Sequence, residues 1–252
     1  MGTSQPYNAP ATPQWTALKR LVTKVARRSA VTADDAQALV ARFVDALISA
    51  SAGKNVGQGS AQDLPVRLPP FNAAALETAR RLILFAYGVH QSGFAAAAAP
   101  FRKDLGQHPA RRDVLLALLN GLGPEGSTLP EVDARFALLH ILEVGQAQDT
   151  VEAYEAHLVT ALDPAALGER LRDLFAACLE HALQRFMYEY LTERTGHDQA
   201  MAALIGASKG LWQRVSNLPP PAEPAGGWHS QEGLRAVEAL FADVIRRAGP
   251  RT

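Results

Sequence analysis

Apolar residues recur every three or four positions over most of this chain, and that spacing predicts amphipathic α-helices. The first apolar stripe consists of Trp15, Leu18, Leu21, Val22 and Val25. The second consists of Ala36, Leu39, Val40, Phe43 and Leu47. No alternation of apolar and polar residues is long enough to predict a β-strand. The pattern therefore predicts an all-α protein.

Signals at helix ends place several boundaries. Thr32, followed three residues later by Asp35, is a variant of the capping box and marks the start of the second helix. Asp163 precedes a proline at the first position of a long helix, which we expect to end before Gly196. Further helices are predicted near 72–89, 110–120, 130–144, 150–162, 198–216 and 230–252.

Proline, glycine and small polar residues divide these helices into regions. Residues 1–14 are predicted to be a disordered arm, and 15–216 a helical bundle core with inserted helices at about 95–165. Residues 217–229 are predicted to be a proline-rich linker, of which 217–227 should be mobile or held only by neighbours. The C-terminal helix at 230–252 should then pack on a neighbouring subunit or back on its own chain.

Two short segments rich in small residues have more than one interpretation. The five alanines at 95–99 fit either a close-packed helix end or a flexible hinge. Residues 206–210 faintly resemble a phosphate-binding loop, but they lack its glycine spacing and no strand precedes them. A helix with small residues at a packing contact is the favoured interpretation.

The overall charge excludes a strongly basic or acidic protein. Lys and Arg together number 25, as do Asp and Glu, so the formal net charge is zero. Any site for a polyanion must therefore be a local cluster. The apolar runs are too short and interrupted to span a bilayer, and no signal peptide is visible, so we expect no membrane partner.

Residues with catalytic or metal-binding chemistry form no recognisable motif. The chain has no nucleophile elbow, phosphate-binding loop or dinucleotide fingerprint. Its seven histidines are scattered, and His157 is wrongly spaced from Glu155 for a carboxylate-bridged metal site. The single cysteine, Cys178, lies in an apolar run and is expected to be a buried, inert thiol. We therefore predict no enzyme activity, no metal and no cofactor.

Basic clusters are the remaining chemical signal. Single-stranded nucleic acid is bound by grooves of Lys and Arg, with or without stacking aromatic rings. The first helix has five basic residues and no acid: Lys19, Arg20, Lys24, Arg27 and Arg28. Other clusters are Arg80 with Arg81, Arg102 with Lys103, Arg111 with Arg112, and Arg170 with Arg172. Taken alone, each cluster is better interpreted as a solvated face.

The order of motifs over roughly half of the chain resembles the coat proteins of rod-shaped, tobamovirus-like plant viruses. After a Trp-led first helix, the second-helix pattern of that family is matched by Thr32, Ala36, Leu39, Val40, Arg42 and Phe43. The later motifs are matched by Val66-Arg67-Leu68-Pro69, Phe71-Asn72-Ala73, Ala86-Tyr87, Arg194-Thr195-Gly196 and Gly210-Leu211-Trp212. The chain departs from the family at 95–165, at Val89-His90-Gln91 and in its C-terminal 40 residues.

The resemblance implies a four-helix-bundle core and a structural capsid subunit that polymerises helically around single-stranded RNA. Its location would be the virion and the host cytoplasm. The family binds RNA between the inner ends of its third and fourth helices, here near 88–112 and 163–173. The basic residues available there are Arg102, Lys103, Arg111, Arg112, Arg170 and Arg172.

Two further expectations follow from this interpretation. Six residues on apolar stripes should share one core: Phe43, Leu47, Leu82, Phe85, Leu183 and Phe186. Clustered carboxylates, such as Asp34 with Asp35 or Glu152 with Glu155, could repel across a subunit interface and trigger disassembly. The residues also leave open a bacterial all-α regulatory or ligand-binding protein with an apolar pocket, and a helical enzyme whose catalytic residues form no known motif.

Overall fold

The computed structural model describes residues 12–28, 31–52, 71–143, 150–219 and 221–249. These residues form α-helices and one turn of 3₁₀ helix (Ala99–Phe101), without any strand, which confirms the all-α prediction. The helices are α1 (Pro13–Ala26), α2 (Ala33–Ala52), α3 (Phe71–Ser92), α4 (Phe94–Ala98), α5 (Arg111–Leu122), α6 (Leu129–Leu142), α7 (Val151–Ala161), α8 (Leu167–Thr195), α9 (His197–Ser216) and α10 (Gln231–Ala248). The motif Val66-Arg67-Leu68-Pro69 and most of the predicted N-terminal arm lie outside the described residues.

The described chain divides into two compact units. The first unit contains α1, α2, the part of α8 from Glu180 onward, α9 and the last residues of α10. The second unit contains α3 to α7, the beginning of α8, the segment that follows α9, and most of α10. Helices α8 and α10 therefore each contribute residues to both units.

An aromatic cluster forms the core of the first unit. The Trp15 ring lies 4.4 Å from the Phe186 ring and 6.1 Å from the Phe43 ring, measured between centroids. Helix α9 packs closely on α2. A Cβ atom added at Gly210 would lie only 3.1 Å from the Cβ of Ala36, which is tighter than an ordinary contact. The interpretation of 206–210 as a packing contact of small residues is therefore confirmed.

The start of α2 is a reciprocal cap. The Asp35 amide donates to the Thr32 hydroxyl at 3.1 Å, and the Thr32 amide donates to an Asp35 carboxylate oxygen at 3.3 Å. The Thr32 hydroxyl, together with the paired Arg28 guanidinium, lowers the pKa of Asp35 below its ordinary value. The capping prediction is confirmed. Asp35 is buried and paired with Arg28 within the chain, and its repulsion with Asp34 across a subunit interface stays a prediction.

Packing of α3 against α4 organises part of the second unit. The Phe85 ring lies 5.9 Å from both Phe94 and Phe101. A Cβ atom added at Gly88 would lie 3.5 Å from the Cβ of Ala97, an ordinary van der Waals contact. Within the alanine run Ala98 is buried and Ala97 is half-buried, whereas Ala95, Ala96 and Ala99 are exposed, so only part of the run is close-packed.

The proline-rich segment after α9 is held by its own chain, contrary to the prediction that its first part is mobile or held by neighbours. Trp228 is 1% exposed, and its amide donates to the Tyr87 hydroxyl at 3.1 Å. That hydroxyl donates to Glu223 at 3.2 Å. Gly227 has a positive φ of 79°, and a Cβ atom added there would collide with the same hydroxyl, so glycine is required at this position. The composition of this segment did not indicate that the adjoining Trp228 is buried.

Helix α10 packs back on its own chain, the second of the two expectations for it. The Phe241 ring lies 4.6 Å from the Phe175 ring of α8. The prediction of one shared core differs from the structure, because the six residues are divided between the two units. Phe43, Leu183 and Phe186 lie in the first, Leu82 and Phe85 lie in the second, and Leu47 is only half-buried.

Candidate nucleic-acid interface

Two of the six predicted RNA-binding residues begin helix α5. Arg111 and Arg112 occupy its first two positions, and the preceding Ala110 amide donates to the Asp113 carboxylate at 3.0 Å. Both arginines line a hollow of about 590 Å³. Its remaining walls are formed by Ala110, Leu115, Leu116, Leu119, Leu139 and Glu143. The hollow thus combines two guanidinium groups with an apolar wall and one carboxylate.

An aromatic ring of α7 supports Arg111. The guanidinium carbon lies 5.1 Å from the centre of the Tyr154 ring, a cation–π distance. Tyr154 is 2% exposed, and its burial raises the pKa of its phenol despite the opposing charge of Arg111. Within the described part of the chain, neither the Arg111 Nε nor the Tyr154 hydroxyl has a hydrogen-bond partner. Arg111 is therefore held by its ring contact, while Arg112 is exposed.

A second pair of predicted residues precedes this helix. Arg102 forms an ion pair with Glu155 of α7 at 2.6 Å, and the two side chains are only 24% and 23% exposed. Lys103 is exposed. Glu155 is therefore paired within the chain, and repulsion of Glu152 and Glu155 across a subunit interface stays a prediction.

The last two predicted residues lie at the start of α8 and are held internally. The Arg170 Nε donates to the Ala161 carbonyl at 3.2 Å. Arg172 is 12% exposed, pairs with Asp173 at 3.2 Å and donates to the Leu218 carbonyl at 3.4 Å. Both arginines approach the same Asp173 carboxylate. These contacts join segments of the second unit, and RNA binding by these two residues stays a prediction.

The structure therefore brings the six residues together only in part. All six belong to the second unit. Arg111 and Arg112 share one hollow, Arg102 and Arg111 both contact α7, and Arg170 and Arg172 share Asp173. The sequence reasoning missed Tyr154 as the support of Arg111, because nothing in the local pattern of α7 indicates which side chain its ring meets.

An apolar groove lies between α8 and α9 in the first unit. Its volume is about 640 Å³, and its residues are Glu180, Gln184, Arg185, Tyr188, Met201, Leu204, Ile205, Ser208, Lys209 and Trp212. The Trp212 indole donates to Glu180 at 2.7 Å, while Gln184 donates to Glu180 and to the Ser208 hydroxyl, each at 3.0 Å. Tyr188 and Ile205 are 43% and 50% exposed. The groove is thus apolar, with one hydrogen-bonded carboxylate.

Other chemistry is sparse in the described residues. They contain no cluster of His, Cys, Asp and Glu that could hold a metal ion. Cys178 is 1% exposed, which confirms the prediction that it is buried, and burial raises the pKa of its thiol. None of the helices in this part of the chain has the length and apolar character needed to cross a bilayer.

Comparison with known proteins gives no match. No protein-family model matches the chain. Neither a curated protein nor a solved structure matches it.

Proposed function

We propose that this protein is a structural subunit that polymerises helically and packages single-stranded RNA, as in rod-like or filamentous virions. The observation that carries the RNA part is the pair Arg111 and Arg112, which lines one hollow at the start of α5. Two adjacent guanidinium groups bind phosphate oxygens well, and the first N–H groups of a helix favour the same anions. Such contacts read the RNA backbone and leave its sequence unread.

Exposed apolar side chains support the assembly part of the proposal. Ile205 in the first unit is 50% exposed, and Leu84 and Phe136 in the second are 66% and 50% exposed. Ile205 lies in the α8–α9 groove beside Tyr188 and Met201, which are 43% and 36% exposed, and such clustered apolar groups are typical of protein–protein contact sites. Contacts between unlike patches of identical subunits produce open helical polymers when the rotation does not close a ring.

The RNA part is tested by replacing Arg111 and Arg112 together by Ala. Each phosphate neutralised on a single strand contributes about 0.7 to the salt slope, so two contacts contribute about 1.4. The ratio of wild-type affinity to variant affinity should therefore fall roughly sevenfold as the salt concentration rises from about 50 to about 200 mM. Fluorescence anisotropy with short single-stranded RNAs of different sequence measures this, and the loss should be similar for all of them.

A matched control is available on α3. Arg80 and Arg81 are also adjacent arginines of the second unit, but they pair with Glu238 and Glu77 respectively. Their double Ala variant removes the same charge and should leave the salt slope unchanged. Equal effects of the two double variants would contradict a specific role for the hollow, and wild-type protein that binds no RNA at low salt would overturn the RNA part altogether.

The groove between α8 and α9 favours a second candidate function, the binding of a small apolar ligand. Its volume of about 640 Å³ is within the usual range for ligand pockets, and Trp212 and Tyr188 provide aromatic surface. Glu180 would orient a ligand that carries a hydrogen-bond donor.

The dye 8-anilino-1-naphthalenesulfonate is a suitable probe for that groove. If the groove binds apolar molecules, dye fluorescence should rise with wild-type protein and fall in Ile205→Glu. Val159→Glu is the control, because Val159 is similarly exposed, at 44%, and is not a groove residue. An unchanged signal in Ile205→Glu would exclude the groove as the dye site.

A further inference from the structure

Helix α1 concentrates positive charge more strongly than any other part of the described chain. It contains Lys19, Arg20 and Lys24, and Arg27 and Arg28 follow directly. No acidic residue precedes Asp34 in the whole sequence. In a protein whose net charge is zero, this stretch is a local basic cluster of the kind that a polyanion would need.

Three of these residues form one exposed surface. Arg20, Lys24 and Arg27 are all exposed, and their spacings of four and three residues make them neighbours on the helix. They extend over about 10 Å of the helix axis, at 1.5 Å per residue. The opposite side of α1 is buried through Trp15, Leu18, Val22 and Val25.

The other two basic residues are engaged within the first unit. Arg28 pairs with Asp35 at the start of α2. The Lys19 ammonium lies 5.9 Å from the centre of the Tyr190 ring, whose hydroxyl is 3.1 Å from that of Thr23. No ion pair of Arg20, Lys24 or Arg27 is present in the part of the chain that the structure describes. These three cations are therefore available to an external anion.

The burial of α1 favours one of two classes of polyanion. An amphipathic helix that lies in a membrane surface inserts its apolar side between lipids. In α1 that side is occupied, since Trp15 is 2% exposed and Leu18, Val22 and Val25 are fully buried. A phosphate backbone requires only the charged side, and a nearby aromatic ring such as Tyr190 is typical of surfaces that bind single strands.

We propose that Arg20, Lys24 and Arg27 form a backbone-binding surface for single-stranded RNA, distinct from the hollow at Arg111 and Arg112. This inference rests on the proposed function and adds a second contact to it. The surface recognises phosphates along the strand and carries no base specificity.

The test is a triple variant, Arg20→Ala, Lys24→Ala and Arg27→Ala, compared with wild type by anisotropy on short single-stranded RNAs. Three lost phosphate contacts should reduce the salt slope by about 2. The affinity ratio of wild type to variant should therefore shrink roughly 20-fold between about 50 and about 200 mM salt. The control removes three paired arginines, Arg42, Arg80 and Arg81, and should leave the slope unchanged.

Each result has a definite meaning. Reduced slope in the α1 variant, with intact thermal unfolding, supports the surface. RNA binding with an unchanged slope overturns the surface and leaves the proposed function intact, whereas no RNA binding by wild type overturns both. Binding of wild type to phosphatidylserine vesicles that the α1 variant loses, while RNA affinity is retained, would assign α1 to membranes and also overturn the inference.

Discussion

Three basic residues at α1 and two in the stretch 102–172 have the same charge and very different surroundings. Arg102 and Arg172 are 24% and 12% exposed and face the carboxylates of Glu155 and Asp173. Arg20, Lys24 and Arg27 are exposed on a helix that contains no acid. A paired arginine stabilises its own fold, and an exposed one retains its charge for a partner. Sequence clustering alone does not distinguish these two roles.

Removal of the Trp15 side chain should have the largest effect, because it removes apolar packing under α1. The Trp15 ring packs against Phe43 and Phe186 and, with the buried Leu18, Val22 and Val25, holds α1 in place. Trp15→Ala should cost about 3–5 kcal/mol of unfolding free energy, the usual range for a buried aromatic residue. Urea denaturation measures the cost, with Thr16→Ala on the exposed side as control. A loss below about 1 kcal/mol would show that the cluster is not a packed core.

Replacement of single arginines should distinguish paired cations from exposed ones by their effect on stability. Arg172→Ala removes hydrogen bonds to Asp173 and to the Leu218 carbonyl in a nearly buried place. It should cost about 2 kcal/mol, since hydrogen bonds of charged groups contribute more than neutral ones. Arg20→Ala should change stability by less than about 0.5 kcal/mol, as exposed substitutions usually do. Similar losses of unfolding free energy for both variants would show that the pairing of Arg172 adds nothing to stability.

The smallest expected effect concerns the pairing of Arg28 with Asp35. Because the folded state lowers the pKa of Asp35, this carboxylate stabilises the fold above the unfolded-state pKa of about 3.9. That contribution is lost as the pH falls through the lower, folded-state pKa. In Asp35→Asn, unfolding free energy should therefore depend less steeply on pH between about pH 5 and about pH 2. If the unfolding free energies of wild type and variant depend equally on pH in this range, Asp35 does not contribute to the acid dependence of stability.

Local patterns predicted the helices of this fold well. The pair Thr32 and Asp35 predicted the start of α2, and the apolar stripe of α1 identified Trp15, Leu18, Val22 and Val25 as buried. Asp163 predicted a boundary with less accuracy. Its carboxylate accepts from the Ala165 amide in a turn, and α8 begins only at Leu167.

Contacts between distant residues could not be predicted in the same way. Arg102 and Glu155 are separated by 53 positions, and Tyr87 meets Trp228 across 141 positions. Such pairs depend on how whole helices pack, which a periodic pattern does not contain. For that reason the sequence located the basic clusters, but it did not reveal which of their members are paired inside the chain.

Electron microscopy of purified protein, with and without single-stranded RNA, is the decisive test of helical polymerisation around RNA. We expect rods or filaments of uniform width that form with RNA and dissociate at high salt, because the phosphate contacts are screened. Sedimentation of the same samples should show a broad distribution of large species that depends on protein concentration. A single small species at every protein concentration, salt and pH, with or without RNA, would overturn the proposed function.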